Sequence, residues 1–272
     1  MTKPVFRGDR RSFLRSGAGV LGVGGLLLSA PSLLLARQPW ERLDVVRELL
    51  DGSEPSTTGI DLDLPLVSED GSSVSLSVSV DSPMSDDDYV ESIHVFGAGN
   101  PNPEIAAFRL TPAAGKAVVA TRVRLNESQT VIAVARTSRG EMKVATRDVR
   151  VTVSGCLSRN GDSSAMGLDN PRVRVPPNPQ AGNPAEILTL INHPMETGLR
   201  EGEDGELIPK RIVERFQVEL DGDPVFEAEL YQAVSANPYL RFHVKPRAGE
   251  LRFSWTEDTG ETVEVTETLD PA

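Results

Sequence analysis

Serine alternates with an aliphatic residue through Val74-Ser75-Leu76-Ser77-Val78-Ser79-Val80. A period of two puts the aliphatic side chains on one face and the serines on the other, the pattern of a strand buried on one side only. Upstream the period is different. Trp40, Leu43, Val46, Leu49 and Leu50 recur at three- and four-residue steps and predict a short amphipathic helix over 40–50, ended by the Gly/Ser/Pro/Thr interval at 52–59. Downstream, strand-like runs are predicted at 91–96, 104–110, 116–125, 130–136 and 141–153. Turn signals separate them: Gly-Asn-Pro-Asn-Pro at 99–103, Pro-Ala-Ala-Gly at 112–115, Asn-Glu-Ser at 126–128 and Ser-Arg-Gly at 138–140. A polar, aperiodic stretch at 157–170 reads as a linker. Alternation resumes at Val173 and Val175, with further runs at 185–191, 211–220, 224–231, 239–245, 249–256 and 261–268. Strands at this spacing with no helices between them predict an all-β chain of two antiparallel sandwiches joined by a flexible linker.

The first 37 residues stand apart from this pattern. Paired Arg10 and Arg11 precede Ser12-Phe13-Leu14-Arg15, and an apolar, glycine-rich run follows from Gly17 to Ala36. The segment 1–37 resembles a twin-arginine export signal, which makes the mature protein periplasmic and its membrane contact confined to export. Gly22, Gly24, Gly25 and Pro31 interrupt the run and argue against a lasting membrane anchor. Without that segment the chain carries 22 basic and 39 acidic side chains, a net charge of −17. Such a surface repels nucleic acid and anionic lipid and leaves basic or neutral proteins as partners.

Few residues could carry chemistry. His94, His193 and His243 lie far apart, with no partner at metal-ligand spacing, and read as structural histidines within or beside strands. Asp86-Asp87-Asp88 lacks the alternating oxygen ligands of a calcium loop and reads as a solvated turn or helix start. The chain offers no phosphate loop, nucleophile elbow or Cys-x-x-Cys, so the sequence assigns it no catalytic residue, metal or cofactor. What is left is Cys156, the one cysteine of 272 residues, where the last strand of the first half gives way to the linker. An unpaired thiol in an oxidising compartment calls for a reason. Its neighbours Ser154, Gly155, Leu157 and Ser158 form a short arm, and Ser154, Gly155 and Ser158 are small, which favours an exposed thiol over a buried one.

Several longer stretches carry a family resemblance. Val-Asp-Ser-Pro-Met at 80–84, Ile-His-Val-Phe at 93–96, Gly-Asn-Pro-Asn-Pro at 99–103, Arg-Leu-Asn-Glu-Ser-Gln-Thr-Val at 124–131 and Val-Thr-Val-Ser-Gly-Cys at 151–156 resemble SoxY of the bacterial thiosulfate-oxidising Sox system. Ile-Asn-His-Pro-Met-Glu-Thr-Gly-Leu-Arg at 191–200, Val-Ser-Ala-Asn-Pro-Tyr at 234–239 and Phe-Ser-Trp-Thr-Glu-Asp at 253–258 resemble its partner SoxZ. The resemblance implies a SoxY–SoxZ fusion: signal 1–37, SoxY-like domain 38–156, linker 157–170 and SoxZ-like domain 171–272, each domain an immunoglobulin-like β-sandwich.

It also implies a role. The protein would be a carrier rather than an enzyme, with sulfur intermediates held covalently on Cys156 while separate sulfur-oxidising enzymes act on them. The family's cysteine sits in a Gly-Gly-Cys-Gly-Gly type tail at a free C-terminus. Here the flanks are Ser154-Gly155 and Leu157-Ser158 and the chain runs on, so the arm is tied at both ends. Fused carriers of this kind are associated with quinoprotein dehydrogenases, which makes such a dehydrogenase the other candidate partner. A non-catalytic scaffold for that dehydrogenase, with Cys156 incidental, is the alternative function. A disulfide-linked dimer through Cys156 is open to either. The stretch His193-Pro194-Met195-Glu196-Thr197-Gly198 either frames the inter-domain surface or the carrier arm, or is a proline-fixed turn required for packing.

Overall fold

The structure, a computed structural model, describes residues 38–155, 167–180, 182–202 and 204–272. The expected export signal at 1–37 and residues 156–166, with Cys156, Leu157, Ser158 and most of the expected linker, lie outside the described residues.

The first half contains α1 (Asp44–Leu50), β1 (Ile60–Asp63), β2 (Val67–Asp70), β3 (Val74–Val80), β4 (Val90–Gly97), β5 (Glu104–Leu110), β6 (Ala117–Val123), β7 (Gln129–Thr137) and β8 (Met142–Val153). The second half contains β9 (Asp169–Arg174), β10 (Ala185–Asn192), β11 (Val213–Leu220), β12 (Asp223–Leu230), β13 (Tyr239–Val244), β14 (Gly249–Glu257) and β15 (Thr262–Leu269). Every strand expected from alternation is present within a few residues. β1 and β2 are additional, and β9 starts ahead of the alternation expected at Val173, taking Asp169 and Asn170 out of the expected linker. The helix is shorter than its periodicity predicts. Pro39–Arg42 forms a 3-10 turn ahead of it, and Asp51 turns left-handed (φ 45°) to end it. Its apolar face, Val46 and Leu50 with Trp40 and Leu43, seals a small second core over Phe96, Ile132, Val134, Met142 and Val144.

The strands form two sheets, and each half contributes to both. One has six strands in the order β1-β3-β6-β13-β10-β9; the other has nine, β15-β14-β11-β12-β5-β4-β7-β8-β2. The halves meet by strand pairing, through Phe226 opposite Leu110 to Leu230 opposite Ala106 in the larger sheet and Arg241 opposite Ala120 in the smaller. All other pairs are antiparallel except β2 with β8. Two sandwiches are present, as alternation predicts, but continuous sheets unite them as well as the chain between them.

One core runs through both halves. Phe108 of β5 stacks on Phe226 of β12 at 6.0 Å, and Phe226 stacks on Phe242 of β13 at 4.4 Å with the rings nearly parallel. Phe216, Phe253 and Trp255 extend the cluster and are all fully buried. With so few aromatics in the chain, gathering six of them behind the seam concentrates buried apolar area where the two halves join.

Candidate functional site

β8 leads toward Cys156, and the turn between β2 and β3 receives Ser154 and Gly155 at its end. The Gly71 amide donates to the Val153 carbonyl at 2.9 Å, the Leu125 amide to the Gly71 carbonyl at 2.8 Å, and the Gly155 amide to the Leu125 carbonyl at 3.0 Å. Glycine is required at both ends of this ladder. A β-carbon on Gly155 would fall 1.9 Å from the Gly71 oxygen, and one on Gly71 would fall 2.3 Å from the Leu125 oxygen. Ser154 donates from Oγ to Asn126 Oδ1 at 2.8 Å. Ser154 and Gly155 are therefore not part of a free arm, as their small side chains suggest. They are its fixed root, with Gly155 buried. Among the described residues the root ends there, one position before Cys156.

The root continues into a buried polar chain. Asn100, in the Gly-Asn-Pro-Asn-Pro turn, accepts at Oδ1 from the Asn126 amide and from Gln129 Nε2, each at 2.9 Å, and donates to the Arg124 carbonyl at 3.0 Å. Arg124 then crosses the seam. Its amide donates to Ala233 O at 2.6 Å, and its guanidinium donates to Met195 O at 2.6 Å and to Pro194 O at 3.0 Å. Ser235 completes the junction, donating from its amide to Arg122 O at 3.0 Å and from Oγ to Ser72 O at 2.9 Å. Five of the stretches singled out in the sequence converge here: 99–103, 124–131, 151–156, 191–200 and 234–239.

His193-Pro194-Met195 supports the junction from the second half. His193 is fully buried, and its Nε2 lies 2.7 Å from Glu257 Oε1, itself fully buried. Nδ1 accepts the Met195 amide at 3.0 Å, which leaves the proton on Nε2 to be donated to the carboxylate. Burial holds His193 below its ordinary pKa, with Glu257 opposing the shift. Burial also works against the charge on Glu257, yet hydrogen bonds from Thr259, Arg211 and His193 together keep its carboxyl below the usual range. Met195 is buried in a left-handed conformation (φ 50°), its carbonyl held by Arg124 and its sulfur receiving the Val213 amide at 3.3 Å. The stretch is thus a packed turn that frames the inter-domain surface. Arg124 links it toward the arm root, and among the described residues it presents no acid–base pair there.

The remaining candidates are elsewhere. His94 stacks alongside Phe96 on β4, and His243 lies in β13, each with its pKa lowered first by burial. Asp88 and Ser85 close a tight turn by mutual backbone hydrogen bonds, and Asp88 pairs with Arg139 at 3.4 Å. No group of three His, Cys, Asp or Glu side chains among the described residues could hold a metal ion. None of those residues forms a helix long and apolar enough to cross a membrane. Gly71, Arg124 and Glu257 escaped the sequence reading as individual residues. Arg124 and Glu257 stand within stretches that carried the resemblance, whereas Gly71 looks like any turn glycine.

Residues 46–156 match the family model for sulfur oxidation protein SoxY, and residues 173–268 match that for sulphur oxidation protein SoxZ. The chain is a SoxY–SoxZ fusion. Among solved structures, the sulfur carrier protein SoxY from Chlorobium limicola f thiosulfatophilum is similar at 27% identity, covering 40% of this chain and 94% of its own, with a TM-score of 0.34. A superoxide reductase (neelaredoxin) from Ignicoccus hospitalis is similar at 18% identity, covering 38% of this chain and 91% of its own, with a TM-score of 0.33. No curated protein matches. The family matches carry the assignment, and they place the protein among sulfur-oxidation carriers whose partners are sulfur-oxidation enzymes.

Proposed function

We propose that this SoxY–SoxZ fusion is a periplasmic carrier that holds sulfur intermediates covalently on Cys156 and presents them to partner enzymes. One observation supports it above the rest. The residue before Cys156 is locked to the fold by the Gly155–Leu125–Gly71 ladder, at the junction where signature stretches of both families meet. A carrier thiol needs a fixed pivot, and the clamp on Gly155 supports that reading.

The chemistry belongs to the partners. Joining the Cys156 thiolate to the outer sulfur of thiosulfate forms an S–S bond and releases two electrons, so an electron-accepting enzyme must act with the carrier. Hydrolysis of the terminal sulfonate to sulfate is redox-neutral and needs only water and a hydrolase. Sulfur-oxidising enzymes fit this scheme, and a quinoprotein dehydrogenase is the alternative electron acceptor.

Reconstitution with the partner oxidase tests the reading: the wild-type protein supports thiosulfate-dependent electron transfer, and Cys156→Ser abolishes it. Equal rates with Cys156→Ser would instead establish the scaffold role. For the location, Arg10→Lys with Arg11→Lys leaves the precursor in the cytoplasm; unchanged export would remove the twin-arginine assignment.

A further inference from the structure

A cleft of about 330 Å³ opens on the outer face of the six-stranded sheet, where β1, β3 and β6 of the first half meet β13 of the second. Its floor is made of small side chains. Ser77 stands opposite Ala120 and Ser75 opposite Arg122, and Ala120 is also the residue paired with Arg241 across the seam. Between long side chains, the short ones at Ser75, Ser77 and Ala120 leave the space empty. Arg122 and Arg241 flank it, and the Arg122 guanidinium lies 5.3 Å from the centre of the Tyr239 ring.

The cleft is locally basic on an acidic protein. Arg122 has no carboxylate partner among the described residues. Arg241 reaches Glu186 only at 3.8 Å, and its Nε is buried with no hydrogen-bond partner among them. The ion pair to Glu186 is long and the Arg241 side chain is partly exposed, so its terminal amino groups keep donor capacity for an incoming acceptor. Asp63 on the far rim, opposite Ser77, offsets one of the two positive charges.

We infer that this cleft binds a small sulfur oxyanion, a sulfonate or sulfate-like group gripped by the Arg122 and Arg241 guanidiniums and the Ser75 hydroxyl, while Ser77, whose hydroxyl donates to the Val119 carbonyl, keeps the floor low. Planar guanidiniums match an oxyanion through paired hydrogen bonds, and a serine hydroxyl donates to a remaining oxygen. Arg122 precedes Leu125, the residue that holds Gly155, by three positions, or about 10 Å of extended strand. The oxyanion is therefore either free in solution or the terminal sulfonate of a group carried on Cys156. The choice of sulfur oxyanions rests on the carrier reading; the anion site itself does not.

Equilibrium dialysis with radiolabelled thiosulfate on the full-length mature chain tests the inference. Cys156→Ala retains binding, Arg122→Gln with Arg241→Gln weakens it at least tenfold while circular dichroism stays native, and Asp63→Asn tightens it several-fold. Arg122→Lys with Arg241→Lys, which keeps the charge but loses the fork, falls between. Undetectable binding to Cys156→Ala, or binding unmoved by the arginine and aspartate variants, would overturn it. Protein S-sulfonated at Cys156 separates the two sources. Lost binding of free thiosulfate identifies the carried sulfonate as an occupant of the site, and undiminished binding identifies the free oxyanion. If Cys156 never carries sulfur, the carrier reading fails while binding to Cys156→Ala persists.

Discussion

Gly155 packs against Gly71 so closely that a β-carbon on Gly155 would stand 1.9 Å from the Gly71 carbonyl oxygen. The obstructing atom is backbone, which cannot swing aside. Gly155→Ala must shift β8 or the β2–β3 turn, and overpacking of this kind costs about 1–3 kcal/mol. Thermal unfolding should show a midpoint several degrees lower. Delivery to partner enzymes should fall as well, although Cys156 is untouched. A native midpoint with native delivery would show that the arm root is not clamped.

Arg124 joins the halves through the backbone carbonyls of Pro194 and Met195. Arg124→Ala leaves Pro194 O and Met195 O without their guanidinium donors at a buried junction. The loss is about 2–6 kcal/mol, at about 1–3 kcal/mol for each of the two buried carbonyls left unsatisfied. Arg124→Lys, a single point donor, should recover only part of it. Denaturant titration measures both, and an Arg124→Ala protein as stable as the wild type would contradict the bridging role.

Acid should loosen the junction. The native pKa of His193 lies below its ordinary value of 6.5, first because it is buried. The unfolded chain therefore takes up the proton first as pH falls, and stability declines on descending through 6.5 toward the native value. Glu257, depressed in the fold, adds a further loss as pH falls through its own lower range. His193→Asn should be less stable at pH 8 and should show a flatter dependence between pH 7 and 5. Melting curves at pH 8, 6 and 5 decide it, and an unchanged slope would assign the effect to His94 or His243.

The two halves should melt as one. Strand pairing in both sheets and the Phe108–Phe226–Phe242 stack leave no weak plane between them. Calorimetry of the mature chain should show a single transition. Phe226→Ala should lower it by the equivalent of about 3–5 kcal/mol without splitting it. Two resolved wild-type transitions would mean that the halves are independent domains.

Much of this fold is legible in the chain because its strands are half-buried. The alternation at 74–80 and the run at 104–110 predict β3 and β5 to the residue: β3 has one buried and one more open face, whereas β5 is buried on both faces and shows as a short apolar run between turn signals. β2 escaped because it is a four-residue, largely exposed edge strand, Val-Ser-Glu-Asp, with no buried face to imprint a period. Continuity of the sheets is invisible for a related reason: Leu110 and Phe226 look like ordinary core residues whether their neighbour strand comes from the same half or the other. The site divides in the same way. A lone cysteine is conspicuous, but the need for glycine at 155 comes from Gly71, far away in sequence, and smallness alone read as flexibility.

Intact-mass spectrometry of the protein purified from its native periplasm during growth on reduced sulfur tests the central claim most directly. Wild-type chains should carry adducts of sulfur or sulfonate mass that reductant removes, and Cys156→Ala chains should carry none. A Cys156 thiol that is always unmodified and shielded from alkylating reagents would contradict the carrier role.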